Sequence, residues 1–507
     1  MSEQSFGKWR RRLWPIERYE HKKLIPLLFI KFFISFIYGI LYSMKDTFIV
    51  TGKGSGAEVI PVLKGWIVLP VALLVTLLYS KLSNHFKRST LFYGIISCFL
   101  IFFLVYSFIL YPQKDLLSPH HTADLLIANY GAEYSHWVAI FRNWMQTIFF
   151  VVAELWAPLV IFMLFWGFCN QINVIGDAKR YYTLFIAAGD LAALCTGPLV
   201  GYYAHKYAHT HFLFTIQSLS LCITFFGLVV MALHWWVTKY VLTDPKLHNP
   251  ETIRSQEKTK TKLSLFQGLK LIASSKYLRN IAIMVLGYGL AINLVEVSWK
   301  ANLKLQFPNA SDYQAFMGMV TSIVGAVSLF TAFFLGGGII RFFGWHFSAQ
   351  ITPIVVGVTG ILFFLLLQTQ HIIEPLTAMF GISPLLLIVI FGTVQNISSK
   401  VVKYSFFDPT KEMSYIPLDQ ESKVKGKAAI DVVGSRLGKS GSAWIQLALI
   451  QMVGTGSVLS ISHFLLPFMT ITVFFWITSI KSLNKQFLEK TGEQERADET
   501  EPQKEGA

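Results

Sequence analysis

Residues 24–47, LIPLLFIKFFISFIYGILYSMKDT, form an apolar run long enough to cross a hydrocarbon layer, yet the run ends on two adjacent charges, Lys45 and Asp46. A bilayer core takes about 20 residues of helix, and runs of that length recur along the whole chain. In the first half they lie near 24–47, 58–80, 90–111, 146–169, 182–204 and 212–237. In the second half they lie near 278–299, 315–340, 347–369, 374–397, 428–451 and 458–480. The predicted fold is an all-α polytopic membrane protein of about twelve transmembrane helices in two six-helix bundles. Transporters of this layout commonly hold cargo at midplane between their halves.

Composition agrees. Of the 507 residues, 53% are hydrophobic and only 14% are charged, with a mean hydropathy of +0.50. A soluble domain would carry about 25% charged residues. The net charge of +15 sits where membrane topology places it: Arg10, Arg11, Arg12, Arg18, Lys22 and Lys23 before the first span, and Lys258, Lys260 and Lys262 mid-chain. No base-stacking or groove-reading motif accompanies it, so no nucleic-acid partner is expected. The short loops with Lys81, Lys87 and Arg88, with Lys179 and Arg180, with Arg341, and with Lys423, Lys425 and Lys427 share one side. By the positive-inside rule that side, with both termini, is cytoplasmic. The predicted units are a basic tail at 1–23, a bundle at 24–237, a cytoplasmic connector at 238–277, a second bundle at 278–480 and a tail at 481–507. Membrane lipid is the expected surround.

Seven charged residues interrupt the apolar runs: Lys45, Glu154, Asp190, Glu296, Lys300, Arg436 and Lys439. An ionised side chain at the bilayer centre costs roughly 2.5–3.5 kcal/mol on insertion scales. Such groups should face the protein interior, paired with each other or with a charged cargo. Lys45, Lys300, Arg436 and Lys439 are cationic, which points to an anion. Lys45 reads either as the partner of a buried acid such as Glu154 or Glu296, or as a phosphate ligand. Asp46 diverges from it by about 100° around a helix, so only one of the two faces a given cavity squarely. Glu154 and Glu296 read as structural bridges or as gating groups. Arg436 and Lys439 lie at i,i+3 on one helical face, a useful pair for phosphate oxygens; helix-end snorkelling is the alternative.

The sequence GSRLGKS at 434–440 is one residue short of a phosphate-binding loop and follows no buried parallel strand. His205, His209 and His211 have metal-like spacing but no clustered acid or thiol, and read as a solvated helix end. Cys98, Cys169, Cys195 and Cys222 form no CxxC pair. No metal, cofactor or catalytic set is expected, and the chain does not read as an enzyme. A weak internal repeat relates 176–200 to 421–445, aligning Gly189 with Gly434. Both glycines are expected at close helix contacts.

The segments MKDTFIVTGKGSGAEVIP (44–61), VVAELWAPLVIFMLFWGFCNQI (151–172), KYSFFDPTKEMSYIPLD (403–419) and KVKGKAAIDVVGSRLGKSG (423–441) closely resemble the ATP/ADP translocase family of intracellular bacterial parasites and plastids. The resemblance implies a major-facilitator-like arrangement, a monomer in the bacterial inner membrane, and uptake of ATP or another nucleoside triphosphate in exchange for ADP or another nucleotide. It carries functional importance onto Lys45 of the KDT motif, Glu154 of AELW, Glu296 of the seventh span and Lys439 of LGKSG. Two cations would grip phosphates, helped by Arg436 or Lys300, while two acids hold empty-state pairs or set the gates. Exchangers similar to this chain usually carry an Arg-Asp pair where Tyr42 and Ser43 stand, often an acid where Gln171 stands, and a polar amide near Asp190. A membrane-embedded acid such as Asp190 is also a natural proton carrier. Proton-coupled symport of GTP, UTP or ATP is therefore the alternative, with another organic phosphate as cargo a further one.

Overall fold

The computed structural model describes residues 16–173, 175–208, 212–244, 247, 265–331, 337–419, 422 and 426–500. His209, His211, Arg10 to Arg12, most of the connector with Lys258, Lys260 and Lys262, and Lys423 and Lys425 lie outside them. Among the described residues the chain forms helices and no strands. Lipid offers backbone groups no hydrogen-bond partner, so a spanning segment must satisfy them within itself.

Eleven helices are long and apolar enough to cross a membrane. They are α1 (Arg18–Val50), α2 (Val59–Ser83), α3 (Arg88–Leu117), α4 (Trp144–Ile172), α5 (Arg180–Lys206), α6 (Phe212–Val241), α7 (Lys276–Gln306), α8 (Ala310–Thr331), α9 (Phe342–Gln368) and α10 (Pro384–Ser414), with Ser462–Lys490 the last. Between α10 and that last helix runs α11 (Ser435–Val453), entered through the helical turns Lys427–Ala429 and Ile430–Gly434. Asp431 in its entry turn and Arg436 and Lys439 within it make this stretch more polar than the eleven; taken with them it completes the expected twelve. The last helix is α12. Both described chain ends thus lie on one face, the terminal face, and α1 climbs from there to the far face at Val50.

The tenth span differs from its predicted position at 374–397. Gln370–Met379 is a separate short helix, and Gly381 follows with φ +65°, a left-handed conformation that favours glycine. The spanning helix then starts afresh at Pro384, with Ser383 capping Leu386 N–H at 3.1 Å.

Several spans widen locally into π turns. They cover Leu63–Val68, Tyr106–Leu110, Ala157–Trp166, Val237–Val241, Lys403–Phe407 and Ile430–Gly434. Proline stands two residues past three of them, as Pro70, Pro112 and Pro409. Its ring clashes with the carbonyl one turn back and it donates no N–H, which opens the turn. The turn at Leu63–Val68 contains Lys64, and those at Ala157–Trp166, Lys403–Phe407 and Ile430–Gly434 lie within three residues of Glu154, Lys400 and Arg436.

Each half has a buried core of its own. The core of the second half also takes in Ile49, Val50, Ala57, Val59, Ile60, Leu63, Ala139 and Phe150 of the first. These residues belong to the far ends of α1, α2 and α4 and the loops joining them, so the halves are sealed together on the far face. A second seam joins α5 to α8. There Ser322 donates to Leu194 O at 2.7 Å, and a Cβ on Gly197 would lie 2.2 Å from Gly318 O. Close helix contact falls at Gly197, Gly325 and Gly438, not at the expected Gly189 and Gly434. At those two a Cβ would meet only ordinary contacts, at 3.4 and 3.7 Å.

Candidate binding cavity

The interior charges converge where the two halves meet. Lys45 Nζ on α1 lies 2.9 Å from Glu154 Oε1 on α4 and 3.0 Å from Asp46 Oδ1. Although neighbours on a helix diverge, the long lysine chain reaches around to its own neighbour's carboxylate. Asp46 in turn meets Lys300 Nζ of α7 at 2.8 Å, with neither side chain exposed. Lys300 also pairs with Glu296 one helical turn earlier, at 2.9 Å. The other oxygen of Glu296 faces Lys64 Nζ of α2 at 3.2 Å. Lys64 donates as well to Asn293 Oδ1 at 3.0 Å. Asp46–Lys300 and Lys64–Glu296 each link one half to the other.

Tyr42, one turn before Lys45, lies in the middle of this array. Its hydroxyl donates to Glu296 Oε1 at 2.9 Å and accepts from Lys400 Nζ of α10 at 3.2 Å. Three ammonium groups stand around its ring: Lys400 at 4.7 Å, Lys45 at 4.9 Å and Lys300 at 5.5 Å from the centroid. A ring face attracts cations through its quadrupole, which lets them gather more closely than bare charges would.

Lys439 comes from the second half on α11. Gly438 permits this, since a Cβ on Gly289 would come within 3.0 Å of Gly438 Cα, so α7 and α11 touch backbone to backbone. Lys439 is exposed although it lies mid-helix, and it interacts electrostatically with Glu154, Lys64 and Glu296. It therefore faces the cleft between the halves. Next to it, Ser440 donates to Lys64 O at 3.4 Å. Arg436, one turn earlier, has a buried Nη1 without a hydrogen-bond partner.

Of the residues singled out from sequence, Lys45, Glu154, Glu296, Lys300 and Lys439 come together. Asp190 does not join them. It lies lower on α5, with Oδ2 buried and unbonded, in electrostatic contact with Lys31 of α1. Lys31 stands 5.8 Å from the Phe165 ring and 6.0 Å from the Trp166 ring. The sequence reading missed Lys31, Lys64 and Lys400, and set Asp46 aside. Lys31 and Lys64 fall inside predicted spans and were open to the same charge-in-apolar-run rule as Lys45. Among the described residues no cluster of acids, histidines or cysteines could hold a metal.

On the far surface, the short helix Ser135–Arg142 packs over α2 and α11. His136 there lines a cavity of about 290 Å³ with Trp66, Trp137 and Trp444. Burial pushes the His136 imidazole down to about 4, so the ring is neutral at pH 7.

A family model described as TLC ATP/ADP transporter matches residues 1–487. An ADP,ATP carrier protein 1 of Chlamydia muridarum is 43% identical over 509 residues, covering 98% of this chain and 95% of the relative. The chloroplastic ADP,ATP carrier protein 1 of Arabidopsis thaliana is 41% identical, covering 95% of this chain and 76% of that one. ADP,ATP carrier protein 1 of Rickettsia prowazekii is 38% identical, with coverages of 96% and 97%. Among solved structures, a bacterial homologue of the iron transporter ferroportin aligns with TM-score 0.53 at 12% identity, over 93% of this chain and 98% of the other. A D-xylose-proton symporter aligns with TM-score 0.53 at 13% identity, with coverages of 90% and 97%. At such identity these structures establish the fold alone: two bundles of the major-facilitator type.

Proposed function

The chain belongs to the TLC ATP/ADP transporter family, and from that premise we propose that it is a membrane nucleotide carrier exchanging ATP for ADP by alternating access through the lysine-lined cleft. The observation that carries this reading is the charge balance of the cleft. Lys45, Lys64, Lys300, Lys400 and Lys439 face three carboxylates, Asp46, Glu154 and Glu296. The surplus is positive, and buried cations without a counter-charge are costly. A phosphate chain supplies that counter-charge.

The terminal face is assigned to the cytoplasm of a bacterial cell by the positive-inside rule, and the halves are sealed on the opposite, outer face. In the empty carrier, Asp46–Lys300 and Lys64–Glu296 hold the halves together beyond the cleft. Phosphates arriving at Lys45 and Lys439, with Arg436 beside them, compete with Glu154 and Asp46 for the same ammonium groups. Lys300 has two carboxylates of its own, so it acts first as part of the lock and reaches phosphate only once Asp46 lets go. Because a ligand shifts a conformational equilibrium only by its differential affinity for the two states, a lock made of the ligand's own binding groups makes loaded and empty carriers behave differently. That is the requirement for obligate exchange.

Proton symport would need a carboxylate whose charge only a proton can cancel. Asp190 is in electrostatic contact with Lys31, but its Oδ2 is buried and unbonded, so Asp190 is where a proton-coupled mode would act. The carrier works as a monomer, the cleft being made by one chain. Reconstituted vesicles test the reading. Labelled ATP uptake should require internal ADP or ATP, ignore an imposed pH gradient and resist competition by sugar phosphates. Uptake into empty vesicles driven by a pH gradient would instead establish symport.

A further inference from the structure

We propose that Lys400 is a phosphate-binding residue of the cleft, seated on Tyr42, and that it sets the minimum number of phosphates the cargo must carry; this rests on the nucleotide reading above. Lys45, Lys64 and Lys300 each lie within 3.2 Å of a carboxylate oxygen. Lys400 has only the neutral hydroxyl of Tyr42, at 3.2 Å, and the face of its ring, at 4.7 Å. Among the described residues no carboxylate forms an ion pair with it, and the same holds for Lys439.

A phenol hydroxyl and a ring face stabilise an ammonium group far less than a carboxylate does. Tyr42 cannot give more, because its single proton is committed to Glu296 at 2.9 Å. Lys400 is thus held in place without being neutralised. Lys400 is half-buried, and its Nζ shares the Tyr42 ring with those of Lys45 and Lys300. An anionic oxygen drawn to Lys400 comes into the field of both neighbours. It competes with Asp46 for Lys45 and Lys300, and Asp46–Lys300 is one of the two links between halves. Occupancy at Lys400 is therefore coupled to release of the far-face lock through one aromatic ring.

The arithmetic of charge gives the specificity. Among the described residues two ammonium groups, Lys400 and Lys439, stand on separate helices with no carboxylate in ion-pair contact. A nucleoside diphosphate or triphosphate can serve both, whereas a monophosphate presents one phosphoryl group and can serve only one.

The test is equilibrium binding of ATP, ADP and AMP to the full-length purified carrier and to Lys400→Gln, Lys400→Arg and Lys439→Gln, with unfolding temperature measured with and without nucleotide. Lys400→Gln should weaken ATP and ADP by about 10- to 100-fold, the range for a charged hydrogen bond. It should leave AMP within about threefold of wild type, so the preference for ADP over AMP collapses. Lys400→Arg keeps the charge and should recover most of the loss. Equal weakening of all three nucleotides would show a general distortion and overturn the proposal. Unchanged ADP affinity in Lys400→Gln, with affinity lost in Lys439→Gln, would overturn it while leaving the transport reading intact. Wild-type carrier that binds none of the three would remove the premise as well. If Lys400→Gln does not fold, Lys400→Met against Lys400→Arg gives the same comparison.

Discussion

Asp46 of the first half and Lys300 of the second meet at 2.8 Å with no exposed surface on either side chain. Neither helix needs this contact to form, and each residue has a second partner in its own half: Lys45 for Asp46 and Glu296 for Lys300. The pair therefore ties the two bundles together on the far side of the cleft.

Asp46→Asn leaves Lys300 buried with one acid and Lys45 with one. Removing one partner of a buried pair costs about 3–5 kcal/mol, so the unfolding temperature in detergent should drop. The functional effect is more specific: ATP preloaded into vesicles should leak into nucleotide-free medium faster than with wild type. Asp46→Asn combined with Lys300→Gln should lose less stability than the two single losses added together.

Asp190→Asn should preserve ATP/ADP exchange within a fewfold and leave it insensitive to a pH gradient, since Asp190 stands apart from the lysine–acid array that exchange works through. Vesicle uptake at two imposed gradients is the measurement. Loss of a pH-driven component in this variant alone would assign Asp190 to proton coupling.

Gly197→Ala tests the seam between α5 and α8. The added Cβ would fall 2.1 Å from Ser322 Oγ and 2.2 Å from Gly318 O, and backbone cannot yield as a flexible side chain can. A loss of about 1–3 kcal/mol is expected for such overpacking, together with impaired uptake. Gly201→Ala, whose Cβ meets nothing within 4 Å, is the control and should be neutral or slightly stabilising through helix propensity.

His136 should make stability fall in acid. Its imidazole goes from an ordinary 6.5 to about 4 on burial, so the folded state binds fewer protons than the unfolded chain between those values. The stabilisation is present above pH 6.5 and is lost progressively as pH drops toward 4, by an amount on the order of 3 kcal/mol. Thermal unfolding from pH 7 to 4 should show a shallower decline in His136→Asn than in wild type.

Eleven of the spans announce themselves by apolar length, and the polar α11 was legible from its place in the two-bundle layout. The tenth span was set about ten residues early, because Gln370–Met379 is apolar enough to pass for its beginning. That shift had a consequence for the cleft. Lys400 fell just past the predicted end at 397 and was not among the charges singled out, whereas it lies within α10, which runs to Ser414. Lys45, Glu154, Glu296 and Lys439 were legible because charge inside an apolar run has few explanations. The Lys45–Glu154 pair was one of the expected readings, but the pairs that join the halves were not, since Asp46–Lys300 and Lys64–Glu296 depend on how two bundles dock. Tyr42 carries no charge and stood out only as a departure from similar exchangers, yet three lysines gather around its ring.

The most direct measurement is a structure of the carrier with ATP bound. Phosphate oxygens should lie within hydrogen-bond distance of ammonium groups from both bundles, Lys45 from the first and Lys439 from the second. Phosphate density touching one bundle only, or lying outside the cleft, would contradict the proposal that the two halves grip the cargo together.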